Sequence, residues 1–146
     1  MLPVSLAIDS SDESSEPFRI LLALSDSAFG RKCEAICRSR YWLVVEPTPV
    51  RAMELLGSAQ FNVVAVDLAA TFNSWENVLR AAARLSPFSG RLLLFDDGTG
   101  RPLPPASPWL YHDTLDKRAE PNLIVRRLNA LCAGAATLGR LPADPD

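Results

Sequence analysis

Carboxylates that follow apolar runs are the residues best placed to do chemistry in this chain. Asp67 closes FNVVAV, Asp26 follows RILLALS, and Asp96-Asp97 follow LLLF. Hard oxygen ligands gathered at one edge of a sheet suit Mg²⁺ or Ca²⁺, so Asp26, Asp67, Asp96 and Asp97 form a candidate cation site; separate carboxylates on exposed loops are the other reading. Elsewhere the chemistry is thin. His112 is the sole histidine and has no cysteine close to it in sequence, which indicates neither a metal cluster nor an acid–base pair. Gly98-Thr99-Gly100 is too short for a phosphate loop and reads as a turn. Cys33, Cys37 and Cys132 lack a CxxC pair and fit reduced thiols packed in a helix–sheet seam. With no nucleophile–base pair, no catalytic residue is assigned and no enzyme is expected.

The elements that must position these groups follow from hydrophobic patterning. Val63 to Val66 is apolar without alternation, the mark of a central strand buried on both faces, and Asp67 emerges at its carboxyl end, where ligands collect in open α/β sheets. Further strands are expected at Arg19–Leu24, Tyr41–Val45 and Leu92–Phe95, with a short last one at Trp109–Tyr111. Helices are expected between them. Phe29, Cys33, Ile36 and Cys37 share one face after a Ser25-Asp26-Ser27 cap. Thr48 and Pro49 open a helix to Gln60 with Met53 and Leu56 inward, and Val78, Leu79, Ala82 and Leu85 stripe a third over Trp75–Leu85. A last helix runs from Pro121 to about Leu138 on Leu123, Ile124, Leu128, Leu131 and Cys132. Residues 98–108, GTGRPLPPASP, hold too many prolines and glycines for a helix and read as a loop. The acidic, serine-rich residues 1–17 read as a disordered tail, residues 18–138 as the domain, and 139–146 as a second tail. This alternation predicts a three-layer, doubly wound α/β domain on a five-stranded parallel sheet.

The order RILLALSD, FNVVAVDLAA, LLLFDD and DTLDKRAEPNLIVRRLNAL resembles the receiver domain of bacterial two-component response regulators, across about residues 18–134. The resemblance implies that Asp67 is the phosphoacceptor position and Lys117 the family's lysine. It also implies departures. The acidic pair that binds Mg²⁺ falls on Leu24 and Ser25, with Asp26 one residue late; the hydroxyl position falls on Asp96; the aromatic switch on Thr114; and the proline after the lysine on Arg118. The family's helix between strands four and five is replaced by residues 98–108. Bringing a phosphoryl group to a carboxylate sets like charges together and needs a divalent cation, so these losses imply a pseudo-receiver whose pocket is Asp26, Asp67, Asp96 and Lys117. Mg²⁺, if held, would rest on Asp26 and Asp67; no resident cofactor is expected.

Function is therefore expected from protein contacts, with a histidine kinase or an output domain as partner, through a surface that includes Trp109, Tyr111 and Arg118. Burial of the two aromatics in the groove left by the missing helix is the alternative. A genuine phosphoacceptor at Asp67 and a small-ligand-binding flavodoxin-like domain stay open, as does a homodimer. A net charge of −2 and the absence of a recognition helix-turn-helix argue against nucleic acid. The 146 residues contain no stretch long and apolar enough to span a membrane and no leader pattern at the start, which makes the cytoplasm the expected location.

Overall fold

The computed structural model describes residues 18–37, 41–69, 74–96, 98 and 110–133. The expected tails, the loop 99–108, Asp97, Trp109 and the helix beyond Ala133 lie outside them. Five strands are described: β1 (Phe18–Ala23), β2 (Tyr41–Glu46), β3 (Val63–Asp67), β4 (Gly90–Phe95) and β5 (Asp113–Asp116). Four helices join them: α1 (Ser27–Cys37), α2 (Pro49–Ser58), α3 (Ser74–Leu85) and α4 (Pro121–Ala133). The sheet is wholly parallel in the order β2-β1-β3-β4-β5.

Burial explains which strands the sequence announces. In β3 all five residues are buried, so both faces must be apolar; β1 and β4 have long buried runs, while the edge strands β2 and β5 are mostly half-buried. Successive side chains feed opposite layers. Ile20, Leu22, Val63 and Leu92 pack beneath α1 and α4 with Phe29, Cys33 and Leu128, whereas Leu21, Val64, Val66 and Leu93 pack beneath α2 and α3 with Leu56, Val78 and Leu79. Gly90 opens β4 where α4 lies closest: an added Cβ would stand 2.9 Å from the Leu131 Cβ. Only glycine lets that layer approach so near.

Two expectations need correction. The last strand is Asp113–Asp116, not Trp109–Tyr111: Tyr111 instead precedes it and is buried beside Leu110 in the α2/α3 layer. The ladder is carried by main-chain pairing from Leu92↔Asp113 to Phe95↔Asp116, and only Leu115 is buried, so an edge strand with charged ends gives little apolar signal. Leu85 does not join the α3 stripe; at the helix end it is 44% exposed, and Ala81 is buried with Val78, Leu79 and Ala82. Among the described residues, no helix is long and apolar enough to cross a membrane.

Candidate functional site

The sheet order reverses between β1 and β3, because the chain runs from β1 out to β2 and then returns to β1's other side. Ligand crevices form at such reversals, beyond the carboxyl ends of the strands. Register fixes what stands there. Ala23 pairs with Val66, Asp67 with Leu94, and Phe95 with Asp116, so the residues just past β1, β4 and β5 converge on Asp67.

Each group has a local reason for its place. Asp26 caps α1: its Oδ1 accepts from the Phe29 amide at 3.1 Å, and the Gly30 amide donates to its carbonyl at 3.0 Å. Asp67, 3% exposed, accepts the Ala69 amide on Oδ1 at 3.0 Å, an Asx turn that leaves the strand. Lys117 follows β5, its amide donating to the Phe95 carbonyl at 2.7 Å. Its ammonium then joins the two acids, 2.8 Å from Asp67 Oδ2 and 3.0 Å from Asp26 Oδ2. The bond to Asp67 has a charge-assisted length, and the one to Asp26 is slightly longer. The Phe29 amide and then the Lys117 ammonium hold the Asp26 carboxyl below its ordinary value. Burial pulls the Lys117 ammonium down, but the hydrogen bonds and charges of Asp67 and Asp26 outweigh it and hold the group above the usual lysine range.

A second lysine completes a circuit that the sequence does not announce. Lys32, in the second turn of α1, donates to the carbonyl of Ala119 at 2.8 Å and of Lys117 at 3.3 Å. Asp26 and Lys32 thus grip the same loop from the same helix, one by its side chain and one by its backbone. Its only sequence mark is a basic residue six positions after the cap, which reads as solvated surface. Lys32→Met keeps the stem and removes the donor; about 1 kcal/mol of local stability should go, seen as several-fold faster amide exchange at Arg118 and Ala119 with the rest of the sheet unchanged.

Other expected members are elsewhere. Asp96 Oδ1 accepts the Gly98 amide at 2.9 Å and faces Arg118 Nε at 3.6 Å, while Lys117 bonds Asp26 and Asp67. Arg118 is exposed and also lies 3.8 Å from Asp116. Tyr111 is 7% exposed, which corrects its place on an interaction surface: it is buried in the α2/α3 core layer. Trp109 is outside the described residues. Leu24, which the resemblance set at an acidic-pair position, is buried in the α1/α4 layer, and Ser25, set beside it, is exposed. Among the described residues, no group of three or more His, Cys, Asp or Glu is gathered to hold a metal ion; Asp97, the fourth member of the expected cation site, lies outside them. Burial raises the thiols of Cys33 to about 12 and of Cys37 and Cys132 to about 11, as expected of inert packing groups.

The fold is that of response-regulator receiver domains. A CheY-like response regulator receiver domain protein from Methanospirillum hungatei JF-1 aligns at 14% identity over 84% of this chain and 98% of its own, with a TM-score of 0.70. The signal receiver domain of an HD domain-containing protein from Pseudomonas fluorescens Pf-5 aligns at 15% identity over 84% and 99%, with a TM-score of 0.68. A response regulator protein from Burkholderia pseudomallei, whose structure holds a phosphorylated aspartic acid, a calcium ion and citrate, aligns at 20% identity over 83% and 70%, with a TM-score of 0.64. No protein-family model and no curated protein matches the chain.

Proposed function

We propose that the protein is a pseudo-receiver: a non-enzymatic signalling module that keeps the receiver fold and works through protein contacts in a two-component-type pathway, with a sensor kinase or an output domain as partner. The observation that carries this reading is the Lys117 ammonium bound to both Asp67 and Asp26. Phosphotransfer to Asp67 needs a divalent cation beside it, and Mg²⁺ demands near-octahedral oxygen coordination at about 2.0–2.1 Å. The donor set here does not fit that ion. Among the described residues two carboxylates face the pocket, both anchored by hydrogen bonds to backbone and to the Lys117 ammonium, and the neighbouring position that the resemblance sets as acidic is a buried leucine. Arg118, exposed on the loop that Lys117 and Lys32 fasten, belongs to the surface offered to a partner.

A genuine phosphoacceptor is the second reading, favoured by the retained contact between Asp67 and Lys117. A backbone NMR titration with Mg²⁺ and then beryllofluoride separates the two. The pseudo-receiver should show no saturating shifts at Asp67, Asp96 or Lys117. Saturating shifts there in wild type that vanish in Asp67→Asn would establish the phosphoacceptor and end the first reading.

A further inference from the structure

We infer that residues 2–8 of this chain add to the sheet as a sixth, antiparallel strand along the outer edge of β2, where they cover Trp42. The inference goes beyond the pseudo-receiver reading and stands whether or not Asp67 accepts a phosphoryl group.

β2 is the outermost strand on its side of the sheet, and β1 is its one strand neighbour among the described residues. An edge strand turns alternate N–H and C=O groups outward, a template for another strand, and folded chains guard it with lysine, proline or a short length. β2 has none of these guards. It is six residues long, YWLVVE, with a single charge at its last position, whereas the opposite edge, β5, has four residues and an aspartate at each end. Trp42 is 53% exposed, on the face that holds Val44. Phe18, where the chain enters β1 beside Tyr41, is 43% exposed. Apolar surface thus gathers at the corner from which residues 1–17 depart.

The chain itself supplies a matching strand. Leu2, Val4, Leu6 and Ile8 alternate with Pro3, Ser5 and Ala7, the period of a strand with one apolar face, and a proline near the start suits an outermost strand. Of the expected tail, only residues 9–17 have the acidic, serine-rich composition. Length sets the direction. Two strand spacings, from β1 across β2 to the new edge, amount to about 10 Å, and a linker of this length reaches about 30 Å at most. Residues 9–17 therefore bring Ile8 to the Tyr41 end of β2 with slack, and the strand runs antiparallel, as edge strands of parallel sheets often do. A parallel strand would set Ile8 a full strand length, about 20 Å, farther from Phe18 and use most of the linker's reach. With the apolar set on the Trp42 face, Ile8 stands beside Trp42 and Leu6 beside Val44, and the first is an aromatic–β-branched pair. Charge agrees with this path. Arg19 stands 4.5 Å over the Trp42 ring, and the linker carries Asp9, Asp12, Glu13 and Glu16 past that corner.

Amide hydrogen exchange and NOE spectra of the full chain, at low and high concentration, test the added strand in wild type and in Leu6→Asp. Alternate β2 amides should exchange at least about tenfold more slowly in wild type than in the variant, equally at both concentrations, while β3 and β4 exchange alike in the two proteins. Wild type should also give NOEs between residues 2–8 and β2 within one chain. Protection that appears only at the high concentration, or NOEs between labelled and unlabelled copies in a mixture, would give the edge to a second copy and overturn the inference. β2 amides that exchange as fast in wild type as in the variant would overturn it too, leaving the edge to a strand from another protein. If Leu6→Asp does not fold, the wild-type NOEs decide: contacts within one chain between residues 2–8 and β2 support the added strand, and their absence overturns it.

Discussion

Acidification from pH 6.5 to about pH 4 is expected to remove roughly 3 kcal/mol of stability through His112 alone. The side chain is built into the start of the β4–β5 pairing. His112 donates its own amide to the Arg91 carbonyl at 2.8 Å, and its Nδ1 accepts the Arg91 amide at 2.9 Å. The imidazole thereby supplies an acceptor where the next rung of a main-chain ladder would stand, just before Leu92 pairs with Asp113. Only the neutral ring can do this. With Nδ1 accepting, the proton lies on Nε2, which is buried and has no hydrogen-bond partner among the described residues. A second proton would set N–H against N–H and add charge beside a buried guanidinium. Burial first, and the Arg91 charge second, accordingly push the His112 pKa down to about 4. The unfolded chain keeps the ordinary value of 6.5 and binds more protons throughout the interval. Stability is therefore complete above pH 6.5 and drains away as the pH falls towards 4. Urea unfolding at a series of pH values measures the slope, and His112→Asn supplies the control: less stable at neutral pH, since the acceptor is weakened, but flat across the window. A wild-type stability that is level across it would show that the imidazole does not hold the Arg91 amide.

His112 also shows where sequence reasoning stops. A single histidine without a metal partner gives no reason to expect chemistry, and the contact it makes, to a strand neighbour 21 residues away, is structural. Legibility elsewhere follows burial. β1, β3 and β4 are evident because both their faces are covered, which forces apolar residues at every position. DTLD is not evident, since an edge strand needs one buried leucine and a partner for its main chain, whereas the aromatic stretch before it imitates a strand although Tyr111 serves as core filling. The site divides in the same way. Asp26 as a helix cap is a local event, and three neighbouring residues announce it. Its bond to Lys117 spans 91 residues and comes from register alone. Asp96, equally well placed in sequence, accepts the Gly98 amide in an Asx turn and lies 3.6 Å from Arg118 Nε. Lys32 acts on backbone carbonyls, which any sequence provides, so no residue pattern could have marked its partners.

Leu24→Asp is expected to cost about 4 kcal/mol. Leu24 looks like a residue of the site because it follows β1 directly, and its amide completes the sheet edge by donating to the Glu46 carbonyl at 3.1 Å. Its side chain, 3% exposed, belongs to the α1/α4 core with Ile20, Leu22 and Phe29. A carboxylate there would lose water and gain no donor from that apolar layer, so it would either stay charged at high cost or take up a proton at neutral pH. Ser25 is exposed, and Ser25→Asp should change stability by no more than about 1 kcal/mol, even though it adds a third acid near Asp26. Parallel urea titrations of the two variants measure the contrast. If Leu24→Asp unfolds at nearly the wild-type midpoint, the side chain is free to turn out of the core towards the cleft. A large gap between the variants would mean that the position has been absorbed into the core. An acid at this position could then face the cleft only if α1 repacked against the sheet, because the Leu24 side chain fills the layer beneath that helix.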